Sequence, residues 1–454
     1  MASITKRNNT YKITVSCGYD MNGKQLRKTL TWKPEPNMTP KQIEKELERQ
    51  KVLFEEKVYQ GTYLDDNIKF ADFVQIWLTD YAEKQLAPKT IQRYKDFLKR
   101  ILPAIGHVKI GKLQPRHLLQ FYNTLSETES VARTKFKPKK DVIDYVSSDK
   151  VSSISKQTGI AESTIRDIKK GNSVTGKTAQ KLCAAIPKCS MSWFDKQAGA
   201  HLSGNTILHH HRLISCIMTT AVQWQVISSN PCARVKPPKA ERKEAVYLDN
   251  KQAMHLVQLL EDAPHMYRTM VITLLYTGMR LGELCGLEWK DIDFDNHIIY
   301  IRRSSQYLPG KGIFTKEPKN KTSIRANRYA SELFLLLRQH EQCQITERLK
   351  LGDKWQDTDR LFTQWNGSYF LPGTLSSWFT DFIKTTDLPK VTIHSLRHTN
   401  ATLLIAGGVD IRTVSKRLGH SQASTTMNIY AHALQSADDA AAEIIDLKVM
   451  KNAQ

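Results

Sequence analysis

The stretch 391–430, VTIHSLRHTNATLLIAGGVDIRTVSKRLGHSQASTTMNIY, restricts what this chain can become more than any other. Four polar residues interrupt an otherwise apolar helical pattern: His394, Arg397, His420 and Tyr430. His394 and Arg397 are three apart, so on a helix they share one face. Ala401, Leu403, Leu404 and Ile405 continue an apolar run that buries the helix body. Gly407 and Gly408 stop that helix, and a second is expected over 410–418, ending at Gly419. His420 then lies just past a helix C-terminus, and Tyr430 follows in a short segment of small residues. Two imidazoles, a guanidinium and a phenol on one surface suit chemistry on a phosphodiester. Upstream, TGMRLGEL at 277–284 places Arg280 in a similar setting.

Charge points to the same kind of partner. The 454 residues carry 67 Lys and Arg against 45 Asp and Glu, a formal +22, and a polyanion is the first expectation. No apolar run reaches the roughly 20 residues that span a bilayer, and the N-terminus lacks the apolar core of a signal peptide. Neither a membrane nor export is therefore expected. Seven scattered cysteines without a CxxC spacing read as reduced thiols of a cytosolic protein. Cys183, Cys189 and His201 match no common zinc spacing, and no metal is expected. His209, His210 and His211 point about 100° apart on a helix and cannot chelate one ion together; solvent or DNA-backbone contact is expected of them.

Arg280, the His394-x-x-Arg397 pair, Leu418-Gly419-His420 and Tyr430, in this order and spacing, resemble the active site of the tyrosine recombinases (phage-type integrases). Any one of these residues alone reads as an ordinary surface or capping group; the ordered set does not. The match runs from about Asp72 to the C-terminus with one interruption. It implies Tyr430 as nucleophile, Arg280 and Arg397 forked onto the nonbridging phosphate oxygens, and His420 hydrogen-bonded to one of them. His394 either accepts the tyrosine proton or orients the scissile phosphate. The general acid of the family is a lysine on a β-hairpin; in PKNKTSIR, Lys319 fits best, with Lys321 the runner-up. The product is a 3′-phosphotyrosyl bond and a free 5′-hydroxyl, with neither ATP, metal nor other cofactor required.

The fold class expected is multidomain, mainly α with small β parts. Residues 1–62 read as a small sheet plus helix: an alternating strand at 11–17, an Asn22-Gly23 turn, a return strand at 24–32 and a helix to about Tyr59. This resembles the arm-binding domain of integrases from mobile elements of Gram-positive bacteria, a three-stranded sheet lying in a major groove, with Lys24, Arg27 and Lys28 as DNA contacts. Residues 68–128 and 201–233 read as a helical core-binding domain. Its first helix carries an apolar stripe of Phe73, Ile76, Trp77 and Tyr81; its second carries Arg93, Lys95, Lys99 and Arg100 for phosphates. The helix from Asn205 is read to end near Ile227.

Between the two parts lies an apparent insertion, 129–200. Its start, 135–140, reads as basic and unstructured, while VSSISKQTGIAESTIRDIKKG at 151–171 resembles the helix-turn-helix of phage repressors, with Ser163, Thr164 and Arg166 facing a groove. A small helical insert without DNA contact is the alternative. The linker 234–246 offers Lys236 and Lys239 to a phosphate backbone. Residues 247–454 read as an α+β catalytic domain with a C-terminal tail that docks on a neighbouring protomer. The partners implied are double-stranded DNA of core and arm type and a homotetramer on two duplexes, in the bacterial cytoplasm at the nucleoid; an excisionase and a host DNA-bending protein are left open. Function is then site-specific integration and excision of a mobile element. A type IB topoisomerase and a catalytically inactive DNA-binding regulator are the competing readings.

Overall fold

The computed structural model describes residues 2–19, 21–59, 67–127, 135–187, 189–197, 201–239, 246–316, 324–420 and 427. The chain divides into two compact units, Met1–Arg242 and Lys243–Gln454. It is multidomain and mainly helical with small sheets, as expected.

The first unit contains three separate cores. The N-terminal one is an antiparallel sheet of β1 (Ser3–Arg7), β2 (Thr10–Tyr19) and β3 (Gln25–Trp32) in the order β1-β2-β3, covered by α1 (Pro40–Tyr59). Period-2 alternation turns Ile13 and Val15 of β2 inward, where they meet Phe54 of α1. On β3, Arg27 lies on the opposite, exposed face, while Lys28, the register partner of Val15, lies half-buried on the inward one.

The second core is helical. It comprises α2 (Phe70–Trp77), which runs through a π-helical turn at Leu78–Ala82 into α3 (Glu83–Gln85), then α4 (Pro88–Ile105) and α5 (Pro115–Glu127). The buried face of α2 is Phe70, Phe73, Val74 and Trp77; Ile76, expected there, is exposed. Positions 70, 73, 74 and 77 form a closer i, i+3, i+4, i+7 set, and Ile76 falls outside that stripe.

The third core is the insertion. Residues 135–140 are not unstructured: β4 (Lys135–Pro138) is the middle strand of a sheet, and α6 (Lys140–Ser147) follows at once. The order is β5-β4-β6, with β5 (Val174–Thr175) and β6 (Phe194–Lys196) pairing from far along the chain. Composition could not reveal such pairing, because the alternation of Lys135, Phe136 and Lys137 gains meaning only when distant partners arrive. Helices α7 (Val151–Thr158) and α8 (Glu162–Lys169) are joined through Gly159, whose φ of 63° is left-handed. Helix α9 (Gly176–Ala185) is N-capped by Thr175, and Ile154, Ile165, Ile168, Leu182 and Phe194 fill the core.

Helix α10 (Gly204–Gln223) returns the chain to the second core, ending at Gln223 rather than near Ile227. Ile207, Leu213, Ile214 and Ile217 pack with Leu98, Leu118 and Trp77. Across the insertion, Trp77 Nε1 donates to Thr220 Oγ1 at 3.1 Å, a buried bond that ties α2 to α10.

The second unit begins with α11 (Asn250–Leu259), capped by Asp249 and Gln252 in a capping box. Helix α12 (His265–Thr277) is buried along most of its length and leads into α13 (Leu281–Leu284). A sheet of order β11-β8-β7 follows, from β7 (Ile292–Asp293), β8 (Ile298–Ile301) and β11 (Arg325–Arg328), beside a separate hairpin of β9 (Ser304–Leu308) and β10 (Gly312–Lys316). Helices α14 (Ser331–Leu351), α15 (Pro372–Lys384), α16 (Ile393–Ala406) and α17 (Ile411–Leu418) complete it. Among the described residues, no helix is long and apolar enough to cross a membrane.

Candidate active site

Helix α16 starts at a capping box in which Thr392 and Ser395 satisfy each other's backbone N–H groups. That start presents His394 and Arg397 one turn inside the helix. Arg397 is 3% exposed, and its Nη1 donates to the carbonyl oxygen of Gly278 at 2.8 Å. Gly278 closes α12 with a φ of 61°; a Cβ there would stand 2.6 Å from both Asn400 Oδ1 and Leu418 Cδ2. Asn400, one turn along α16, donates to the carbonyls of Leu275 and Tyr276 at 2.8 and 3.1 Å. The end of α12 is thus bonded to α16 through three carbonyls, and Arg280 follows two residues later.

Arg280 is held at the N-terminus of α13. Its Nη1 meets Glu283 Oε1 at 2.8 Å, its backbone N–H donates to Glu283 Oε2 at 3.0 Å, and its Nη2 donates to the carbonyl oxygen of Gly419 at 3.3 Å. Gly419 ends α17 at a φ of 69°. His420 follows, its backbone N–H bonded to Ser415 O at 3.0 Å. Glu283 is 3% exposed and also receives Arg325 Nη2 at 2.8 Å, while Arg325 Nε donates to Arg417 O at 2.7 Å. Burial pushes the Glu283 carboxyl up, but the charge and hydrogen bond of Arg325, with Arg280 behind them, outweigh it and leave the carboxyl below its usual value.

The geometry therefore brings Arg280, His394, Arg397 and His420 together, with His398 beside them. The rings of His394 and His398 meet edge-on at 4.9 Å between centroids. His420 is pushed down to about 4 by burial and by the positive charges of Arg397, Arg280 and Arg325. His398 falls to about 4 by burial, beside His394 and Arg397. His394 is lowered by burial, then by Arg397 and Arg280. Burial first, and the neighbouring guanidiniums second, disfavour a further positive charge on these imidazoles, and a site of that sign suits an anion.

The pH dependence of stability has the sign opposite to that of a paired histidine. A folded-state pKa depressed below the ordinary value of about 6.5 means that the unfolded chain binds more protons between the two values. The contribution of His398 and His420 to stability is present above pH 6.5 and lost as pH falls towards 4. In an NMR titration of the free protein, the His420 ring should have its midpoint near 4; a midpoint above 6 contradicts this electrostatic account.

Lys319, Lys321 and Tyr430, the hairpin loop 317–322 and the tail all lie outside the described residues. Three residues of the cluster escaped the sequence reading. Glu283 carried a signal, standing three after Arg280 at capping-box spacing, and His398 stands four after His394 on the same helix. Arg325 carried none, because its partners are 42 and 92 positions away.

The expected DNA contacts are spread over several surfaces. Lys24 and Arg27 are exposed and Lys28 half-buried, Arg27 being bonded to Gln25 Oε1. On α4, Arg93 and Arg100 share one side, Arg93 lying over the Phe97 ring. Lys95 and Lys99 occupy nearly the opposite side, paired with Glu83 at 2.9 Å and Asp96 at 2.7 Å. The four do not form one face. On α8, Ser163 and Arg166 are exposed, Thr164 half-buried, and Arg166 is paired with Glu162 at 2.8 Å. Lys236 and Lys239 are exposed.

Within the histidine run, His210 departs from the expectation of solvent or DNA-backbone contact: it is fully buried, with Nδ1 2.8 Å from Thr206 O. His209 and His211 are half-buried, His209 stacking on Phe97 and His211 Nδ1 lying 2.9 Å from Tyr122 Oη. Cys183 and Cys189 touch, Sγ to Sγ 3.5 Å, while His201 is exposed. No group of three or more metal-binding side chains gathers among the described residues.

Two family models match the chain: the phage integrase family over residues 246–437, and the phage integrase N-terminal SAM-like domain over 69–126. A tyrosine recombinase XerC-like protein of Caldanaerobacter subterraneus subsp. tengcongensis is 24% identical over 454 residues, covering 96% of this chain and 95% of that protein. The ICEBs1 integrase of Bacillus subtilis is 29% identical over 231 residues, which is 51% of this chain and 62% of the relative's length. Among solved structures, the Tn1549 transposon integrase in complex with transposon right end DNA superposes with a TM-score of 0.56 at 19% identity, over 83% of this chain and 98% of that one. Its likeness bears on the fold. With Arg280, His394, Arg397 and His420 assembled at one site and both halves of the family architecture matched, the chain belongs to the phage integrase family of tyrosine recombinases.

Proposed function

We propose that this chain is a site-specific DNA recombinase that integrates and excises a mobile genetic element through a 3′-phosphotyrosyl intermediate. The observation that carries the reading is the convergence of Arg280, Arg397 and His420, from three segments, on one strongly electropositive spot. There a phosphodiester would receive both guanidiniums on its nonbridging oxygens, where negative charge grows in the pentacoordinate transition state. His420, neutral, donates a further hydrogen bond. Tyr430 attacks phosphorus; as its O–P bond forms, the bond to the 5′-oxygen breaks and that oxygen takes a proton from Lys319, or from Lys321. His394 takes the tyrosine proton or orients the phosphate; its lowered pKa weakens it as a base but leaves the ring unprotonated and able to accept.

The phosphotyrosyl ester conserves the energy of the broken bond, so a 5′-hydroxyl from a second duplex can reseal it. Four protomers on two duplexes, passing through a Holliday junction, satisfy that requirement, with each tail docked on a neighbour. The N-terminal sheet, α4 and the linker lysines supply the arm and core contacts, and α8 of the insertion supplies another through Ser163, Thr164 and Arg166. The cytoplasmic nucleoid is the setting this reading requires. Strand exchange between two duplexes carrying attachment sites separates it from a topoisomerase, which relaxes a single supercoiled circle and exchanges nothing. Joint molecules are expected; relaxation without joint molecules would sink the recombinase reading.

A further inference from the structure

Helix α17 ends against strand β11. The backbone N–H groups of Gly419 and His420 turn back to the carbonyls of Lys416 and Ser415, each at 3.0 Å, in the pattern of a Schellman motif. The carbonyl of Arg417 is left to other donors, and β11 supplies two of them. Arg325 Nε donates to it at 2.7 Å and Asn327 Nδ2 at 3.0 Å. In return, Arg417 Nη2 donates to the carbonyl oxygen of Arg328 at 3.1 Å. The last turn before His420 is thus clasped to one strand.

The guanidinium of Arg325 reaches α13 as well. Its Nη2 meets Glu283 Oε2 at 2.8 Å, and only 5% and 4% of the two side chains are exposed. Glu283 holds the backbone N–H and Nη1 of Arg280, whose Nη2 donates to the carbonyl oxygen of Gly419. These bonds close a ring through Arg280, Glu283, Arg325 and the end of α17. The ring is tight at Gly419, where a Cβ would stand 2.9 Å from Arg325 Nη1. Two guanidiniums at that point also suit the negative end of the helix dipole.

We infer that Arg325 is a positioning residue that fixes the distance between Arg280 and His420, by holding Glu283 and the Arg417 carbonyl in one guanidinium plane. The inference rests on the recombinase reading, which puts Arg280 and His420 on the same phosphate. Arg280 is already paired with Glu283, so a second buried arginine exceeds what charge balance requires. Its two donors instead set the end of α17, and with it His420, at one place beside Arg280.

Two substitutions separate positioning from a merely structural role. Arg325→Lys keeps the charge opposite Glu283 but offers one point donor, which can serve the carboxylate or the Arg417 carbonyl and not both. Asn327→Leu keeps the size of the side chain and removes the second donor to that carbonyl, without changing the charge around Glu283. Covalent adduct formation on a nicked attachment-site duplex should be measured for wild type and both variants. Varying the enzyme in excess over DNA gives the saturating rate constant and the half-saturating concentration; DNA in excess counts the active chains. The saturating rate constant should fall about ten- to a hundredfold in Arg325→Lys, the scale of a misplaced catalytic group, and about threefold in Asn327→Leu. The half-saturating concentration and the adduct formed per chain should match wild type. A fold defect instead lowers the adduct per chain and leaves the rate constant of the remaining chains unchanged. That result, or a rate loss that disappears at saturating enzyme, overturns the inference while leaving the recombinase reading intact. So does a slowed Arg325→Lys beside an unchanged Asn327→Leu, which would put Arg325 on the phosphate itself. Absence of an adduct from wild type overturns that reading and the inference with it.

Discussion

Replacing Arg397 by lysine should slow DNA cleavage by about 10²–10³-fold, the loss measured when one preorganised donor to a developing oxyanion is removed. The charge is unchanged by this substitution, so affinity for the duplex should move little. The geometry is not conserved. Arg397 is buried, with one guanidinium nitrogen committed to the carbonyl of Gly278, so its planar fork is aimed by the end of α12. A lysine ammonium is a single point donor on a flexible stem and cannot hold that carbonyl and a phosphate oxygen in a fixed plane. Single-turnover cleavage with a nicked duplex and a filter-binding titration on the same DNA separate the two effects. A fall in affinity that accounts for the whole rate loss would mean that Arg397 serves binding alone.

Glu283→Gln should both destabilise the second unit and cripple cleavage. The carboxylate accepts from the Arg280 backbone, the Arg280 guanidinium and the Arg325 guanidinium, and it is almost fully buried. Removing one partner of a buried ion pair leaves the other charge uncompensated, at a cost of about 3–5 kcal/mol. Arg325, with 5% of its side chain exposed, is the residue left in that position. Because the folded-state carboxyl lies below its ordinary value, its contribution is complete above the unfolded value of about 4.3 and fades as pH falls through the lower folded one. The difference in stability between wild type and Glu283→Gln should therefore be flat from pH 6 to 8 and shrink only in acid. Denaturant unfolding at several pH values measures it; a gap that widens in acid would contradict the assignment of charge to Glu283.

What could be read in advance depended on how local each signal was. The His394 and Arg397 helix, the stop at Gly407 and the Gly419 terminator all follow from neighbours within a few residues, and they lie where expected; Asp410, read as the first residue of its helix, is the N-cap. The glycine between α7 and α8 is of the same kind. Long-range partners were illegible. Strand β4 exists because β5 and β6 come to it, and a lysine-rich segment gives no hint of that. His210 reads as polar but is buried among Phe97, Phe121 and the Thr206 carbonyl. Arg325 matters through atoms tens of residues away, a distance that no pattern of spacing encodes.

In the proposed reaction Tyr430 becomes covalently joined to DNA without a metal. The most direct measurement mixes the full chain with a labelled, nicked attachment-site duplex in EDTA, beside Tyr430→Phe, and resolves the products on a denaturing gel followed by peptide mass analysis. A protein–DNA adduct is expected from wild type alone, with the 3′-phosphate on Tyr430. Tight binding with no adduct, or an adduct that persists in Tyr430→Phe, would contradict it.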